Sequence, residues 1–281
     1  MIIFKKVKDI TDYLSKSRLA KKTIGFVPTM GALHRGHLAL ISESKKVTDI
    51  TICSIFVNPT QFNNPEDLKN YPVKNEDDIY LLEKNGCDIL FYPPTVELYP
   101  EGAKQNNNFD IGYLETILEG AFRPGHFQGV CQVVKKLLDI TQPDIMLLGQ
   151  KDYQQCMVIK RLVHLMGIST QILICPTIRE SSGLAMSSRN LRLSTEERGQ
   201  AAEIYNSLMM IKEEFKTNSF QSLKMKASNY LSSKGFKVDY IEIANANTLQ
   251  PAAEADKNIS PVCLAAAYIN NIRLIDNIVL A

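Results

Sequence analysis

The stretch Gly25-Phe-Val-Pro-Thr-Met-Gly-Ala-Leu-His-Arg-Gly-His-Leu-Ala-Leu40 passes from an apolar strand pattern into a helix and carries two histidines at the change. N–H groups in the first turn of a helix lack partners within the helix, and the helix dipole adds partial positive charge, so a phosphate is stabilised there. Because residues three apart share a helix face, we expect His34 and His37 to face one bound group, with Gly36 leaving room for it. The stretch predicts a phosphate-binding strand–helix unit.

Two other interpretations of His34 and His37 stay open at this point: surface residues at a helix start, or metal ligands. Metal binding is less favoured, because no cluster of cysteines or carboxylates with ligand spacing lies nearby in the sequence. An imidazole can donate to phosphate oxygens, and a cationic one can offset charge that develops on them in a transition state. The phosphate interpretation therefore indicates attack at a phosphorus atom.

Up to about Cys175, strand-like apolar runs alternate with helical patterns, which is typical of βαβ units around a parallel sheet. The predicted fold is α/β, a Rossmann-like parallel sheet with flanking helices. In such sheets ligands bind beyond the carboxyl ends of the strands. The predicted strands are 23–27, 50–57, 88–92, 145–148 and 171–175, and the predicted helices are 75–85, 127–140 and a helix from Asp152 to Gly167.

The alternation stops at the polar loop Pro176–Asn190, which predicts a boundary between a domain of residues 1–176 and a C-terminal domain of residues 177–281. Ser194-Thr-Glu-Glu197 is a capping box and predicts the start of a long helix. A second helix at 220–234 and strands at 238–244, 262–268 and 273–280 complete a smaller α+β domain, which we expect to act as a lid.

A second polar motif, Gly-Leu-Ala-Met-Ser-Ser-Arg-Asn, covers residues 183–190. Ser187, Ser188 and Arg189 are suited to grip a polyphosphate from the side opposite the histidines, since arginine binds two oxygens at once. Together with His-x-Gly-His, this loop resembles the signature of the nucleotidylyltransferase and class I aminoacyl-tRNA synthetase superfamily. That resemblance implies activation of ATP at its α-phosphorus.

Five motifs in order narrow the match, and together they resemble the pantothenate synthetase (pantoate–β-alanine ligase) family. The resemblance runs from about Ile24 to Asn190 and continues weakly to Arg273-Leu-Ile-Asp-Asn277. The motifs are Pro28–His37, Ser54–Phe62, Leu118–Val130, Gly149–Gln155 and the Met-Ser-Ser-Arg-Asn loop.

The resemblance implies an ATP-dependent acid–amine ligase of the coenzyme A pathway, with ATP as substrate. Pantoate would attack the α-phosphorus to give pantoyl adenylate and pyrophosphate, and β-alanine would then displace AMP. Mg²⁺ would be carried by ATP without a dedicated protein metal site. The resemblance also implies a homodimer.

The resemblance assigns roles to individual residues, with His37 as the main proton donor or charge stabiliser and His34 beside it. For Lys151 and Asp152 the alternative is a pair of plain helix-start charges, for Met30 a core residue, and for Gln61 and Gln155 solvated surface. The predicted ATP-binding residues are Met30, His34, His37, Gly149, Gln150, Lys151, Asp152, Ile178, Met186, Ser187, Ser188 and Arg189; Pro28, Met30, Gln61 and Gln155 are predicted to bind pantoate, and Gln61 β-alanine.

The roles of four further residues are less determined by the sequence. The family usually has Glu where this chain has Gln150. The negative charge that this Glu would place beside the ATP site is therefore in doubt for this chain. Glu119, Arg123 and His126 lie close together in sequence near a helix start. For Glu119 and His126 a structural role and direct ligation both stay open.

The composition excludes several classes of protein. The 32 basic and 30 acidic residues give a net charge of +2, without the basic excess typical of nucleic-acid or membrane surfaces. No apolar run of membrane-spanning length and no signal-peptide pattern is found, so we expect a cytoplasmic protein. The six cysteines contain no Cys-x-x-Cys pair and are expected to be buried free thiols.

Three other functions remain alternatives. A nucleotidylyltransferase would retain the nucleotidyl group on a small-molecule product. A non-catalytic nucleotide sensor is disfavoured, because the histidines and the Ser-Ser-Arg loop are both present. A tRNA-binding synthetase is disfavoured, because neither an anticodon-binding extension nor a basic excess is apparent.

Overall fold

The computed structural model describes residues 1–63, 65–104, 108–253 and 261–280. The chain divides into two compact units, each described here by itself. The first contains Met1–Gly149 and Val158–Cys175, and the second contains Gln150–Met157 and Pro176–Ala281. The segment Gln150–Met157, which the sequence analysis assigned to the first domain, thus groups with the second unit.

The first unit is built on a parallel sheet in which the described strands follow the order β1-β4-β3-β2-β5-β6. The predicted α/β fold and its five predicted strands are confirmed, with small differences at their ends. Strand β1 was not predicted from the sequence, because it has only three residues and therefore no alternation to detect. The strands are β1 Ile2–Phe4, β2 Ile24–Thr29, β3 Ile50–Ile55, β4 Ile89–Phe91, β5 Ile145–Gly149 and β6 Gln171–Cys175.

Strand β2 lies at the centre of this sheet. It pairs with β3 on one side and with β5 on the other, so the order of the strands reverses around it. Ile24, Phe26 and Val27 are fully buried, as expected for a strand covered on both faces. The carboxyl end of β2 is therefore at the switch point where open α/β sheets bind ligands.

Helices cover this sheet, and the three helices predicted here are found within one or two residues of their expected ends. Helix α7 is the most apolar of them and buries Val130, Val133, Val134, Leu137 and Leu138. The helices are α1 Val7–Leu19, α2 Arg35–Val47, α3 Pro65–Lys69, α4 Asn75–Lys84, α5 Thr95–Leu98, α6 Leu118–Phe122, α7 His126–Thr141 and α8 Tyr153–Met166, which spans residues of both units.

The second unit packs helices on an antiparallel sheet of order β7-β8-β9. Side chains of β8 that alternate along the strand, Cys263, Ala265 and Ala267, join Leu208 and Leu231 of the helices in one apolar core. The elements are α9 Thr195–Ala201, α10 Glu203–Glu214, α11 Phe220–Ser233, β7 Lys237–Asn245, β8 Pro261–Ile269 and β9 Ile272–Val279.

The prediction of one long helix after Ser194 is wrong, because the structure has two helices there. The capping box between Ser194 and Glu197 is present, but α9 ends at Ala201 and α10 begins at Glu203. At the junction the Ala202 N–H donates to the Gly199 carbonyl, three residues back, so the α-helical ladder tightens and is interrupted.

Two predictions from composition can be compared with the structure. All six cysteines are free thiols and buried, which confirms that prediction. Within the described parts of the chain, no helix combines the length and apolarity that crossing a bilayer requires.

Candidate active site

The two histidines form the start of helix α2. His34 is the N-cap, and its Nδ1 accepts a hydrogen bond from the Gly36 N–H at 3.1 Å. The His37 Nδ1 accepts in turn from the His34 N–H at 3.3 Å, so the two side chains form a reciprocal capping box. The rings stack with their centroids 4.0 Å apart. The expectation that both histidines share one helix face is therefore met.

This capping fixes the tautomer of both rings. A ring nitrogen that accepts from a backbone N–H presents its lone pair, so the neutral imidazole carries its proton on Nε2. Each histidine can then donate from Nε2 while its Nδ1 holds the helix start. The arrangement can supply two adjacent N–H donors to an anion.

The loop between β2 and α2 is held by a carboxylate that sequence analysis missed. Asp78, in the first turn of α4, accepts from the Ala32 N–H at 2.8 Å and from the Leu33 N–H at 2.7 Å. Gly31 and Ala32 both have positive φ, so the loop needs such support. Burial raises the pKa of the Asp78 carboxyl, and the two N–H donors oppose that rise. The signal in the sequence was an acid four residues before buried Leu82.

Three N–H groups of the loop between β2 and α2 form hydrogen bonds within the protein. Gly31 donates to the Thr29 hydroxyl at 3.2 Å, and Ala32 and Leu33 donate to Asp78. These three loop N–H groups thus have acceptors within the protein. The side chains of His34 and His37 therefore remain the candidate donors to an anion in this unit.

A second cluster in the same unit surrounds Gln61, which is 8% exposed. Its amide nitrogen contacts the Met30 sulfur at 2.9 Å, so two residues predicted to bind substrate lie together. Asn58 donates to the Gln61 side-chain oxygen at 3.2 Å and to the Gly129 carbonyl at 3.1 Å. The Tyr99 hydroxyl donates to Asn58 at 2.8 Å, and burial raises the pKa of that hydroxyl. Asn58 thus orients Gln61 through buried hydrogen bonds.

Glu119, Arg123 and His126 form a chain that leads to the same residue. Arg123 lies 3.9 Å from the Glu119 carboxylate and 3.2 Å from the His126 Nε2. The His126 Nδ1 is 2.8 Å from the Gln61 carbonyl oxygen, the distance of a hydrogen bond. Of the two roles left open for His126, this geometry favours the structural one, because the ring supports the backbone of Gln61.

In the second unit, the predicted ATP-binding residues Gln150, Lys151 and Asp152 form a short 3-10 helix. Their backbone is held by Asn277 of β9, whose side-chain amide donates to the carbonyls of Gln150 at 3.0 Å and Lys151 at 2.8 Å. Gln155 follows in the first turn of α8, where it is half-buried.

The loop before α9 is a hairpin that brings two other predicted ATP-binding residues together. The Met186 N–H donates to the Ile178 carbonyl at 2.9 Å, next to a β-bridge between Arg179 and Ala185. Ser187 caps the following 3-10 helix by accepting from the Arg189 N–H at 3.3 Å. The Ser187 hydroxyl therefore has a local structural role in addition to the predicted contact with phosphate.

Comparison with known proteins shows to which family this chain belongs. The family described as pantoate-beta-alanine ligase matches residues 2–279 of this chain. The chain belongs to this family. A pantothenate synthetase of Cytophaga hutchinsonii is 46% identical over all of this chain and 99% of the relative, and one of Flavobacterium psychrophilum is 46% identical over 99% of each.

Solved structures of the pantoate–β-alanine ligase family agree. The crystal structure of pantothenate synthetase from Thermus thermophilus covers all of this chain and 99% of its own, with a TM-score of 0.91 at 37% identity. The crystal structure of a pantoate-beta-alanine ligase from Francisella tularensis covers all of this chain and 98% of its own, with a TM-score of 0.83 at 40% identity. That ligase is described as complexed with beta-gamma ATP and β-alanine. The present chain is therefore an ATP-dependent ligase, and the resemblance found in the sequence is confirmed.

Proposed function

We propose that this ligase joins pantoate to β-alanine through pantoyl adenylate, with the residues described above in specific roles. In the first step a pantoate carboxylate oxygen attacks the α-phosphorus of ATP, and pyrophosphate leaves. In the second step the β-alanine amine attacks the acyl carbon, the carbon–oxygen bond to AMP breaks, and an amide forms. A free carboxylate does not react usefully with an amine, so the mixed anhydride is required.

The capping box of His34 and His37 is the observation that carries this proposal. Two stacked imidazoles, each presenting Nε2–H, can donate to the phosphate oxygens as negative charge builds up during attack at phosphorus. His37 is assigned the main contact with the leaving pyrophosphate, with His34 beside it. Because both Nδ1 atoms are anchored to backbone N–H groups, the donors are pre-oriented and need little reorganisation.

Gln61 and Met30 are assigned to the pantoate site. Pantoate carries a carboxylate, two hydroxyls and a dimethyl carbon, so its site needs an amide on one side and apolar atoms on the other. The contact between the Gln61 amide and the Met30 thioether provides both in one place. Pro28 of the first unit is proposed to bind pantoate with them, and Gln61 is also assigned to β-alanine. Gln155 of the second unit is separately proposed to bind pantoate.

The ATP-binding residues of the second unit are proposed on the basis of their charge and their anchored backbone. Lys151 is suited to a phosphate oxygen and Asp152 to the ribose hydroxyls. The other residues proposed for this unit are Gln150, Ile178, Met186, Ser187, Ser188 and Arg189. Gly149, at the end of β5 in the first unit, is also proposed to bind ATP.

Mg²⁺ is proposed to enter with ATP. Among the described residues no group of three or more His, Cys, Asp or Glu side chains is arranged to hold an ion. Mg²⁺ also prefers phosphate oxygens and water to a cage of side chains. When bound, the ion would offset charge on the triphosphate.

Pyrophosphate release tests the proposed reaction. Purified protein with MgATP and pantoate should release at most about one equivalent of pyrophosphate without β-alanine, and should turn over steadily with it, forming AMP and pantothenate. A nucleotidylyltransferase would instead leave a stable nucleotidyl product and form no AMP. Absence of pyrophosphate under both conditions would refute the assignment.

A homodimer remains the prediction from family resemblance, and a cytoplasmic location with small-molecule partners only remains the prediction from composition and charge. Light scattering coupled to size exclusion measures the mass directly. A monomer mass near 31.6 kDa at all concentrations would exclude the dimer.

A further inference from the structure

The segment Arg273–Asn277 was singled out in the sequence, and the reaction described above assigns it no role. It lies on β9, where Asp276 and Asn277 are 4% and 2% exposed. Both are polar residues in a strand of a small antiparallel sheet. Buried polar groups are retained when their hydrogen bonds determine a particular arrangement.

The side chain of Asn277 is fully used by one short segment. Its amide nitrogen donates to the carbonyls of Gln150 and Lys151, and its oxygen accepts from the Gln150 side-chain amide at 3.2 Å. The 3-10 helix Gln150–Asp152 has only three residues, and so few residues cannot fix their own orientation. Asn277 supplies the missing constraint.

Asp276 holds the second ATP segment in the same way. Its carboxylate accepts from Arg179 at 2.6 and 3.1 Å in a bidentate pair, and also from the Asn277 N–H at 2.7 Å. The Arg179 guanidinium lies 4.0 Å from the centre of the Tyr205 ring. Arg179 follows Ile178, whose carbonyl accepts a hydrogen bond from the Met186 N–H. Two consecutive residues of β9 therefore anchor the segments 150–151 and 178–186.

We propose that Asn277, fixed by the Asp276–Arg179 pair, is a positioning residue for ATP: it sets the direction in which Lys151 and Asp152 leave the backbone. The inference rests on the ATP-binding role proposed for Lys151 and Asp152. Asn277 itself contacts neither ATP nor pantoate in this scheme. Its effect on the reaction is transmitted by the two carbonyl hydrogen bonds.

The decisive variant is Asn277→Asp, which keeps the shape of the side chain and its acceptor for Gln150. It replaces the donor amide by a carboxylate oxygen that faces the carbonyl oxygens of Gln150 and Lys151, and the repulsion displaces the segment. The KM for ATP should rise at least about tenfold, because misplacing a binding group by roughly 1 Å has effects of that order or larger. The KM for pantoate should stay within about twofold.

Asp239→Asn is the matched control. Asp239 pairs with Arg273 Nε at 2.7 Å, and both side chains are buried to a similar degree, 10% and 15% exposed. Arg273 lies four residues before Asn277 on β9, about 13 Å along the strand. This variant should lower the melting temperature but leave the KM for ATP unchanged. Asn277→Ala, which removes the donors without repulsion, should give the same split with a smaller change.

Direct titration of MgATP without pantoate gives a readout independent of turnover, and the Kd should follow the KM. Folded Asn277 variants with ATP affinity within twofold of wild type would overturn the inference, provided that Lys151→Ala weakens ATP binding. If Lys151→Ala has no effect, the proposed ATP site fails instead. Loss of folding in both Asn277 variants, with Asp239→Asn folded, would assign Asn277 to the scaffold and would also overturn the inference.

Discussion

Gly129→Ala tests whether the position of Gln61 depends on close packing against helix α7. A Cβ added to Gly129 would lie 2.6 Å from the Cα of Gln61 and also against the Thr60 backbone. Ordinary carbon–carbon contacts lie at about 3.5 to 4.0 Å, so α7 and the segment 59–61 must separate by about 1 Å. Backbone atoms cannot rotate away, and the Asn58 bond to the Gly129 carbonyl is strained as well.

The expected cost of this overpacking is about 1–3 kcal/mol of folding free energy, a fall of several degrees in melting temperature. A 1 Å shift of Gln61 should raise the KM for pantoate by one to two orders of magnitude. Pyrophosphate release at varied pantoate and saturating ATP measures it.

Gly199→Ala is the control for this change, because a Cβ there meets no atom within 4 Å and alanine favours a helix. A Gly129→Ala enzyme with lowered stability but an unchanged KM for pantoate would refute the reasoning, since Gln61 would then not depend on this contact.

Three further outcomes are expected. His37→Ala should lower the rate of pyrophosphate release by about 10²–10⁴ while the circular dichroism spectrum is retained, and near-normal turnover would contradict the assigned role. Asp78→Asn, which turns an amide N–H toward a backbone N–H, should cost about 1–3 kcal/mol in urea unfolding and lower kcat. Burial raises the pKa of the thiols of Cys87 and Cys131 to about 11 and about 12; a thiol reagent at pH 8 should therefore leave them unlabelled in native protein. The pKa values of these two thiols in the folded protein exceed the ordinary thiol value of 9.0. The protonated thiols therefore contribute fully to the free energy of unfolding below about pH 9, and this contribution is lost as the pH rises through 11 to 12.

The parts of the fold that the sequence predicted share a physical cause. Strands β2, β3 and β5 are apolar runs, and α7 has a continuous apolar face, so periodicity alone defines them. The missed strand β1 is held by its pairing with β4, which is distant in sequence. The break between α9 and α10 lies at Ala202, whose N–H donates to the Gly199 carbonyl, a backbone contact that no pattern of side chains reports.

The candidate site was predictable to a different extent. Motif spacing identified His34, His37 and Gln61, because these residues are close in sequence to the strands that carry them. The residues that orient them come from elsewhere: Asp78 from α4, Tyr99 from the residue after α5 and His126 from α7. The orienting role of these three residues depends on tertiary contacts. In the local sequence pattern such a residue is visible at most as a polar residue on an otherwise apolar face.

The two histidines also show why a helix start need not bind anions through its backbone. In this chain the Ala32 and Leu33 N–H groups donate to Asp78, and the His34 and Gly36 N–H groups donate to the histidine Nδ1 atoms. A buried carboxylate beside the loop would repel a phosphate brought to those same N–H groups. In the proposed scheme the donors are the imidazole Nε2 atoms, which lie on side chains whose orientation the helix start fixes. The loop carboxylate and the histidine pair therefore fit one scheme, in which the hydrogen bonds of the loop are satisfied within the protein and the proposed contacts with the anion are made by side chains.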